Sequence, residues 1–265
     1  VVGQIISLFG NAILRFALPL YLLSETGSEA LFGIVSACAF IPMIVLAPVG
    51  GIFADRVNKR NIMVVLDFLT AVLVLFILLL LGKMNVVALI FTAMFILYGI
   101  QGAYQPAVQA SIPALLSNEY IMQGNAVINL VSSFSGLLGP VIGGTLFGFF
   151  GITPILYLSI ICFVLSATME IFIRIPFEKK EAEGNIFFIG LTDLKESFNY
   201  IKHQQPLIMQ FSLAVAAINM ILSALMIISL PVIVTQLLDF DSETANRLYG
   251  YAEGVMAVGS LCGGM

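Results

Sequence analysis

Charge is what this sequence has least of. Only 10% of its 265 residues are charged, where an ordinary soluble domain carries roughly 25%. With 60% hydrophobic residues and a mean hydropathy of +1.07, the chain cannot cover itself in water. Histidine is nearly missing as well. The single one, His203, sits in a polar stretch, and no Ser/His, paired-Asp or metal-ligand constellation falls at membrane depth. That argues against a membrane-embedded enzyme and against a resident metal. Cys38, Cys162 and Cys262 lie in apolar segments without pairing or ligand spacing, as small apolar filler does. No basic patch interleaved with aromatics and no glycine-rich phosphate loop is present, which excludes the common nucleic-acid binders.

What is present is a series of long apolar runs. Spanning hydrocarbon takes about 20 such residues. Seven segments qualify, near Val1–Leu23, Ala30–Phe53, Ile62–Leu81, Val86–Gln105, Ala126–Phe147, Ile152–Arg174 and Leu207–Thr235. An eighth opens at Leu248. The expected class is an all-α polytopic membrane protein whose first partner is the lipid bilayer. Both termini fall inside apolar runs, so the sequence reads as a fragment at both ends. The N-terminal run lacks a basic lead and is interrupted by Gln4, Asn11 and Arg15, unlike a signal peptide.

Basic residues give the orientation. With the first loop outside, Arg56, Lys59, Arg60, Arg174, Lys179, Lys180, Lys195 and Lys202 are cytoplasmic, and only Lys83 and Arg247 face out. This positive-inside bias places the N-terminus in the cytoplasm. The predicted organisation is a six-helix bundle over 1–175, a cytoplasmic linker over 176–206, and the start of a second, incomplete bundle over 207–265. Within the linker, Leu191, Leu194, Phe198 and Ile201 recur at helical spacing, predicting an amphipathic helix. Ala17-Leu18-Pro19-Leu20 echoes Ser229-Leu230-Pro231-Val232, as two parallel halves would.

The densest charge is the stretch from Gly50 to Asn61. Asp55, Arg56, Lys59 and Arg60 cannot sit in hydrocarbon, so a tight turn at the membrane surface is expected, with glycines Gly50 and Gly51 letting helix ends approach. Asp67 lies less than two turns inside the third span and is expected to pair with Arg56 or Arg60. Glu170, near the inner interface, is expected to snorkel to water.

Polar residues inside the spans form stripes. Gln4, Ser7, Asn11 and Arg15 fall within about 80° of one another at roughly 100° per residue. Tyr98, Gln101, Gln105 and Gln109 repeat the pattern in span four, and Ser212, Asn219 and Ser223 in span seven. Such stripes either glue helices together or line an aqueous cavity; amides with an arginine favour the cavity here. Arg15 is the deepest charge and marks a substrate or coupling site. Glu253, one turn into span eight, stands without a partner in sequence. Gly139, Pro140, Gly143 and Gly144, beside Asn125, Asn129, Ser132 and Gly136 in span five, suit close packing and bending.

Together these residues resemble the major facilitator superfamily, and within it the branch of macrolide-efflux and siderophore-exporter proteins. The matching residues are Ser7-Leu8-Phe9-Gly10-Asn11 with Leu18-Pro19, Gly27-Ser28, and Gly51 with Asp55-Arg56 and Lys59-Arg60. Gln105-Pro106-Ala107 with Ile112-Pro113, Asn125, and Gly139-Pro140-Val141-Ile142-Gly143-Gly144 complete them; the last is similar to the antiporter motif. Three positions depart: the usual span-four arginine is Tyr98, earlier motif glycines are Ala126 and Ser135, and a common span-one acid is Asn11. The resemblance implies proton-driven export of amphipathic small molecules by rocking two six-helix bundles, with the proton gradient as energy source and no cofactor. It implies a monomer when full length, in a bacterial inner membrane, with Asp55 and its basic neighbours stabilising one state through a span-eleven contact. The fragment alone should not transport. The alternatives are an uptake or lipid-handling carrier of the same fold, or, from other classes, a membrane-embedded enzyme or a receptor.

Overall fold

The computed structural model describes residues 2–173, 175, 186–224, 255 and 259. Contacts divide the chain into two compact units, residues 1–187 and 188–265. Regular structure among the described residues is helical: α1 (Val2–Thr26), α2 (Glu29–Arg56), α3 (Lys59–Leu80), α4 (Val86–Leu115), α5 (Ile121–Phe150), α6 (Ile152–Ile171), α7 (Ile186–Gln204) and α8 (Pro206–Ala224), with one short 3-10 turn at Asn118–Tyr120. The first six are long and apolar enough to cross a membrane. Helix is the only open-ended way for such a run to satisfy its backbone where water is absent.

Polar caps and positive-φ glycines set the ends. The Ser28 side chain accepts from the Leu31 amide, Asn58 from Arg60, and Asn85 from Val87 and Ala88. Gly27, Gly82 and Gly151 take positive φ where the chain reverses, a conformation that costs a side-chain-bearing residue. The short links make successive helices alternate in direction. One end of the bundle therefore carries Arg56, Lys59 and Arg60, and is called the basic end here.

Helix α1 is the centre. It packs on α2, α4, α5 and α6, while α2 packs mainly on α4, and α3 on α4 and α6. Gly3, Ser7, Gly10, Leu14, Ala17, Leu18 and Leu22 are buried at helical spacing. In a membrane the alternative to helix contact is lipid, so close packing rather than release of water holds these surfaces together. Each buried leucine contributes many contacts of about 0.1–0.2 kcal/mol. Close approach needs small residues. A Cβ on Gly102 would lie 2.5 Å from the Met43 carbonyl oxygen, and one on Gly139 would lie 2.5 Å from the Ala12 Cβ.

Several expectations shift. The charged turn between α2 and α3 is shorter than expected: Asp55 and Arg56 end α2, Lys59 and Arg60 open α3, and only Val57 and Asn58 lie between. The glycine pair does not join helix ends. Gly50 seats α2 against Ala103 of α4, while Gly51 has open space beside it. Span four runs ten residues beyond Gln105, and span five starts five residues before Ala126. Helix α3 has two faces: Leu75, Phe76 and Leu79 are exposed, while Asp67, Thr70, Val74 and Ile77 turn inward.

In the second unit, α7 covers the expected amphipathic segment, and Leu194 and Phe198 are exposed on it. The helical segments 194–204 and 206–222 meet at a 101° bend. The Ser229–Val232 echo, Glu253 and Cys262 lie outside the described residues.

Candidate functional site

Two polar layers lie along α1, and the sequence stripe Gln4–Ser7–Asn11–Arg15 is divided between them. Gln4 and Ser7 are buried; Asn11 and Arg15 are half-buried. Eight residues of helix separate Ser7 from Arg15, roughly 12 Å.

The middle layer centres on Arg15. Its guanidinium carbon sits 3.8 Å from the centroid of the Tyr98 ring, a cation–π contact between α1 and α4. Tyr98 is buried, and Phe40 of α2 meets it edge-on at 5.2 Å. Gln101 and Gln105 do not reach the guanidinium: those amides pair with each other, Gln101 Nε2 donating to Gln105 Oε1 at 3.4 Å. Among the described residues no carboxylate pairs with Arg15. The Asn11 amide turns back onto the Ser7 carbonyl at 3.2 Å. Gln101 and Gln105 are half-buried, and Gln105 lines a small cleft with Gln4, Leu8, Tyr104 and Ser132.

The layer nearer the basic end is acidic and closed. Asp67 of α3 is 2% exposed and Glu170 of α6 is 0% exposed. Ser7 Oγ donates to Asp67 Oδ1 at 2.9 Å, and the Tyr104 hydroxyl donates to Glu170 Oε1 at 2.8 Å. Ser166 Oγ donates to the Gly3 carbonyl at 2.8 Å, fixing α6 to α1 beside both acids. Gly3 lets α6 come close: a Cβ there would lie 3.2 Å from the Ser166 carbonyl oxygen and 3.3 Å from the Glu170 Cγ. Gln4 closes the layer toward the basic end, its amide 3.8 Å from Met63 Sδ. Beyond that plug lies a cavity of about 370 Å³ lined by Gln4, Met63, Ser111, Leu115, Gly124 and Ile173 among others.

Two expectations are corrected here. Asp67 does not pair with the basic turn: it binds Ser7, and the Arg60 guanidinium reaches Asn61 and the Ile171 carbonyl instead. Burial between α1, α3 and α6 turns the carboxylate away from the turn. Glu170 does not snorkel, because Tyr104 and Gly3 hold it inside the bundle. Sequence reasoning missed this layer although a signal existed. Ser159, Phe163, Ser166 and Glu170 recur at spacings of four, three and four, a single face of α6 that is buried throughout.

The remaining residues lie elsewhere. Asp55 is exposed at the end of α2, while Gly51, Arg56, Lys59 and Arg60 are half-buried around the turn. Gly139 and Gly143 are buried against Ala12 and Ile13 of α1, Gly144 meets Phe16, and half-buried Pro140 lies between them on α5. Asn125, Asn129 and Gly136 are exposed on α5 rather than sharing the buried face of Gly143. Asn219 lies in the second unit, exposed, its amide bonded to the Val215 carbonyl of its own helix. No group of acids, histidines and cysteines among the described residues could hold a metal ion.

Comparison with known proteins accounts for this architecture. The chain is 27% identical to the uncharacterised MFS-type transporter YfiS of Bacillus subtilis over 64% of its length and 40% of that protein's. It is 25% identical to macrolide efflux protein A of Streptococcus pyogenes, over 66% of the chain and 43% of the relative. With YkuC of B. subtilis, another uncharacterised MFS-type transporter, identity is 24% over 73% and 45%. The chain thus spans less than half the length of the curated relatives it matches. The profile of the Major Facilitator Superfamily matches all of residues 1–265, and the chain belongs to that family.

Proposed function

We propose that the protein containing this chain is a secondary transporter that exports bulky, amphipathic small molecules, driven by the proton gradient. The observation that carries this reading is the Arg15–Tyr98 contact. A charged group in the middle of a membrane helix is costly unless it serves a site. Here an aromatic face rather than a carboxylate supports the cation. A guanidinium on a ring keeps its planar fork of donors for another oxygen, and the ring edge offers apolar contact. Such a surface suits molecules that combine polar oxygens with large apolar faces. The relative named for macrolide efflux favours the same class of cargo and the outward direction.

The basic end faces the cytoplasm by the positive-inside rule. The protein then works as a monomer in the bacterial cell membrane, with alternating access around the α1–α4 layer. The superfamily membership and the lack of a nucleophile–base pair in the described bundle favour a carrier over an enzyme or receptor.

The test is retention of a radiolabelled macrolide and of a fluorescent amphipathic dye by cells expressing the full-length protein. Expressing cells should hold less of either, and a protonophore should restore retention to control. Gradient-driven accumulation inside the cells would replace export with uptake. No movement of either probe by a well-expressed protein would remove the proposed cargo class.

A further inference from the structure

The acidic layer has no role in that reading of Arg15, and its chemistry is unusual. Two carboxylates from different helices are completely buried side by side. Glu170 packs on Gly3 and Asp67 binds Ser7, one helical turn or about 6 Å apart along α1. Each carboxyl has one oxygen engaged by a hydroxyl donor. The other oxygen of each, Asp67 Oδ2 and Glu170 Oε2, is buried with no hydrogen-bond partner among the described residues. Removing an ion from water costs several kcal/mol even after relaxation, and adjacent like charges add to that. Ionising both carboxylates there is costly.

We infer that Asp67 and Glu170 form a proton-binding site, with Ser7 and Tyr104 as its fixed hydrogen-bond donors and Gln4–Met63 as its gate toward the basic end. This rests on the proton-driven reading above and supplies it with a carrier. The reaction is simple association: a proton from water adds to a carboxylate oxygen of the pair and leaves by the same bond. Ser7 and Tyr104 each engage one carboxylate oxygen, and no group of three or more acids, histidines or cysteines gathers there among the described residues, which suits a proton better than a metal cation.

The surroundings leave the pair uncompensated. Among the described residues, α1 brings the neutral side chains of Gln4 and Ser7 with the Gly3 backbone, α4 brings Tyr104, α6 brings Ser166, and α5 carries no charged residue. Helix α3 adds Lys59 and Arg60 at its start, but Arg60 reaches the Ile171 carbonyl rather than a carboxylate. The turn residues Asp55 and Arg56 end α2, and Arg174 lies outside the described residues. Exchange with water requires the Gln4–Met63 contact to part, opening the pair to the cavity beyond it. Loss of the proton then leaves a second buried anion where α1, α3 and α6 meet. Those helices must separate to hydrate it, which ties proton occupancy to conformation.

The experiment uses the purified full-length protein and two readouts. Infrared difference spectra through a pH titration should show a protonated-carboxyl band that Glu170→Gln and Asp67→Asn each remove or shift. Reconstituted variants should lose gradient-driven transport of the macrolide by about tenfold or more, while gradient-independent exchange of the same probe changes less than about twofold. Glu170→Asp keeps an acid and should keep the band, separating loss of the proton from loss of the fold. A wild-type spectrum unaffected by both neutral variants overturns the inference, as does a band displaced by sodium at fixed pH. A band that behaves as expected, without any gradient-driven transport, leaves the proton site standing and removes only the proposed coupling.

Discussion

Arg15 and the Asp67–Glu170 pair are ionisable features about 12–18 Å apart along the central helix, and the bundle treats them in opposite ways. The acids are sealed by Tyr104, Gly3 and Gln4, each with one carboxyl oxygen left bare. The arginine is half-buried, open on one side, and rests on a ring. A guanidinium stays charged in any protein setting, so it must keep contact with water, a π face or a ligand. A carboxyl can shed its charge by taking a proton, so it tolerates full enclosure. On the proposed roles, the fully buried acids would be the groups that titrate and the half-buried arginine the group that meets cargo. The largest expected effect tests whether one frame holds both layers. Gly102 lies on α4 between Gln101 and Tyr104, against the Met43 backbone. Gly102→Val should push α2 from α4, destabilise the protein by about 1–3 kcal/mol or more, and disturb both layers. Near-wild-type melting in detergent would mean that the layers do not share that crossing.

A smaller effect separates the acids from the arginine. Tyr104→Phe removes the only donor seen on Glu170 Oε1 and leaves a buried acceptor unmatched, at a cost of about 1–3 kcal/mol. Glu170→Gln keeps an acceptor for the Tyr104 hydroxyl and should cost less. The order is read from thermal melts of the two variants at one pH. If Glu170→Gln melts lower than Tyr104→Phe, the buried amide donors cost more than the lost hydroxyl, and the Tyr104 hydrogen bond is not what holds the layer. The comparison with Arg15 would then need another basis.

This division was only partly legible in the sequence. The spans were, because 20-residue apolar runs have one backbone solution in hydrocarbon. The Gly139–Gly144 run announced small-residue packing, though not that Ala12 of α1 would be the surface it meets. The polar stripe of α1 was visible as a stripe, but helical angles alone cannot say that Ser7 faces an acid on α3 while Arg15 faces a ring on α4. Those are pairings between helices 60 and more than 80 residues apart. Asp67 and Glu170 were placed by distance from the membrane surface. What decides their environment is lateral: which neighbour covers them, and Gly3, without a side chain, lets α6 bring Glu170 close against α1.

The smallest expected effect on stability tests the arginine. Its stack on Tyr98 is a cation–π contact that joins α1 to α4. Such a contact is worth about 0.5–1 kcal/mol when exposed and about 2 when desolvated. Half-buried Arg15 falls between, so Arg15→Ala should lower the melting temperature only slightly. Arg15→Lys keeps the charge and part of the stack but loses the planar fork. If the guanidinium contacts cargo, transport by the full-length protein should fall in the order wild type, Arg15→Lys, Arg15→Ala, with little parallel change in melting. If the acidic layer carries the proton, the gradient dependence should survive in all three, because no hydrogen bond or ion pair joins Arg15 to Asp67 or Glu170 among the described residues. The measurement is transport rate against pH at equal expression. Three superimposable curves would make Arg15 a packing residue. A change in the shape of the pH profile, rather than its height, would show that the arginine and the acids work as one site.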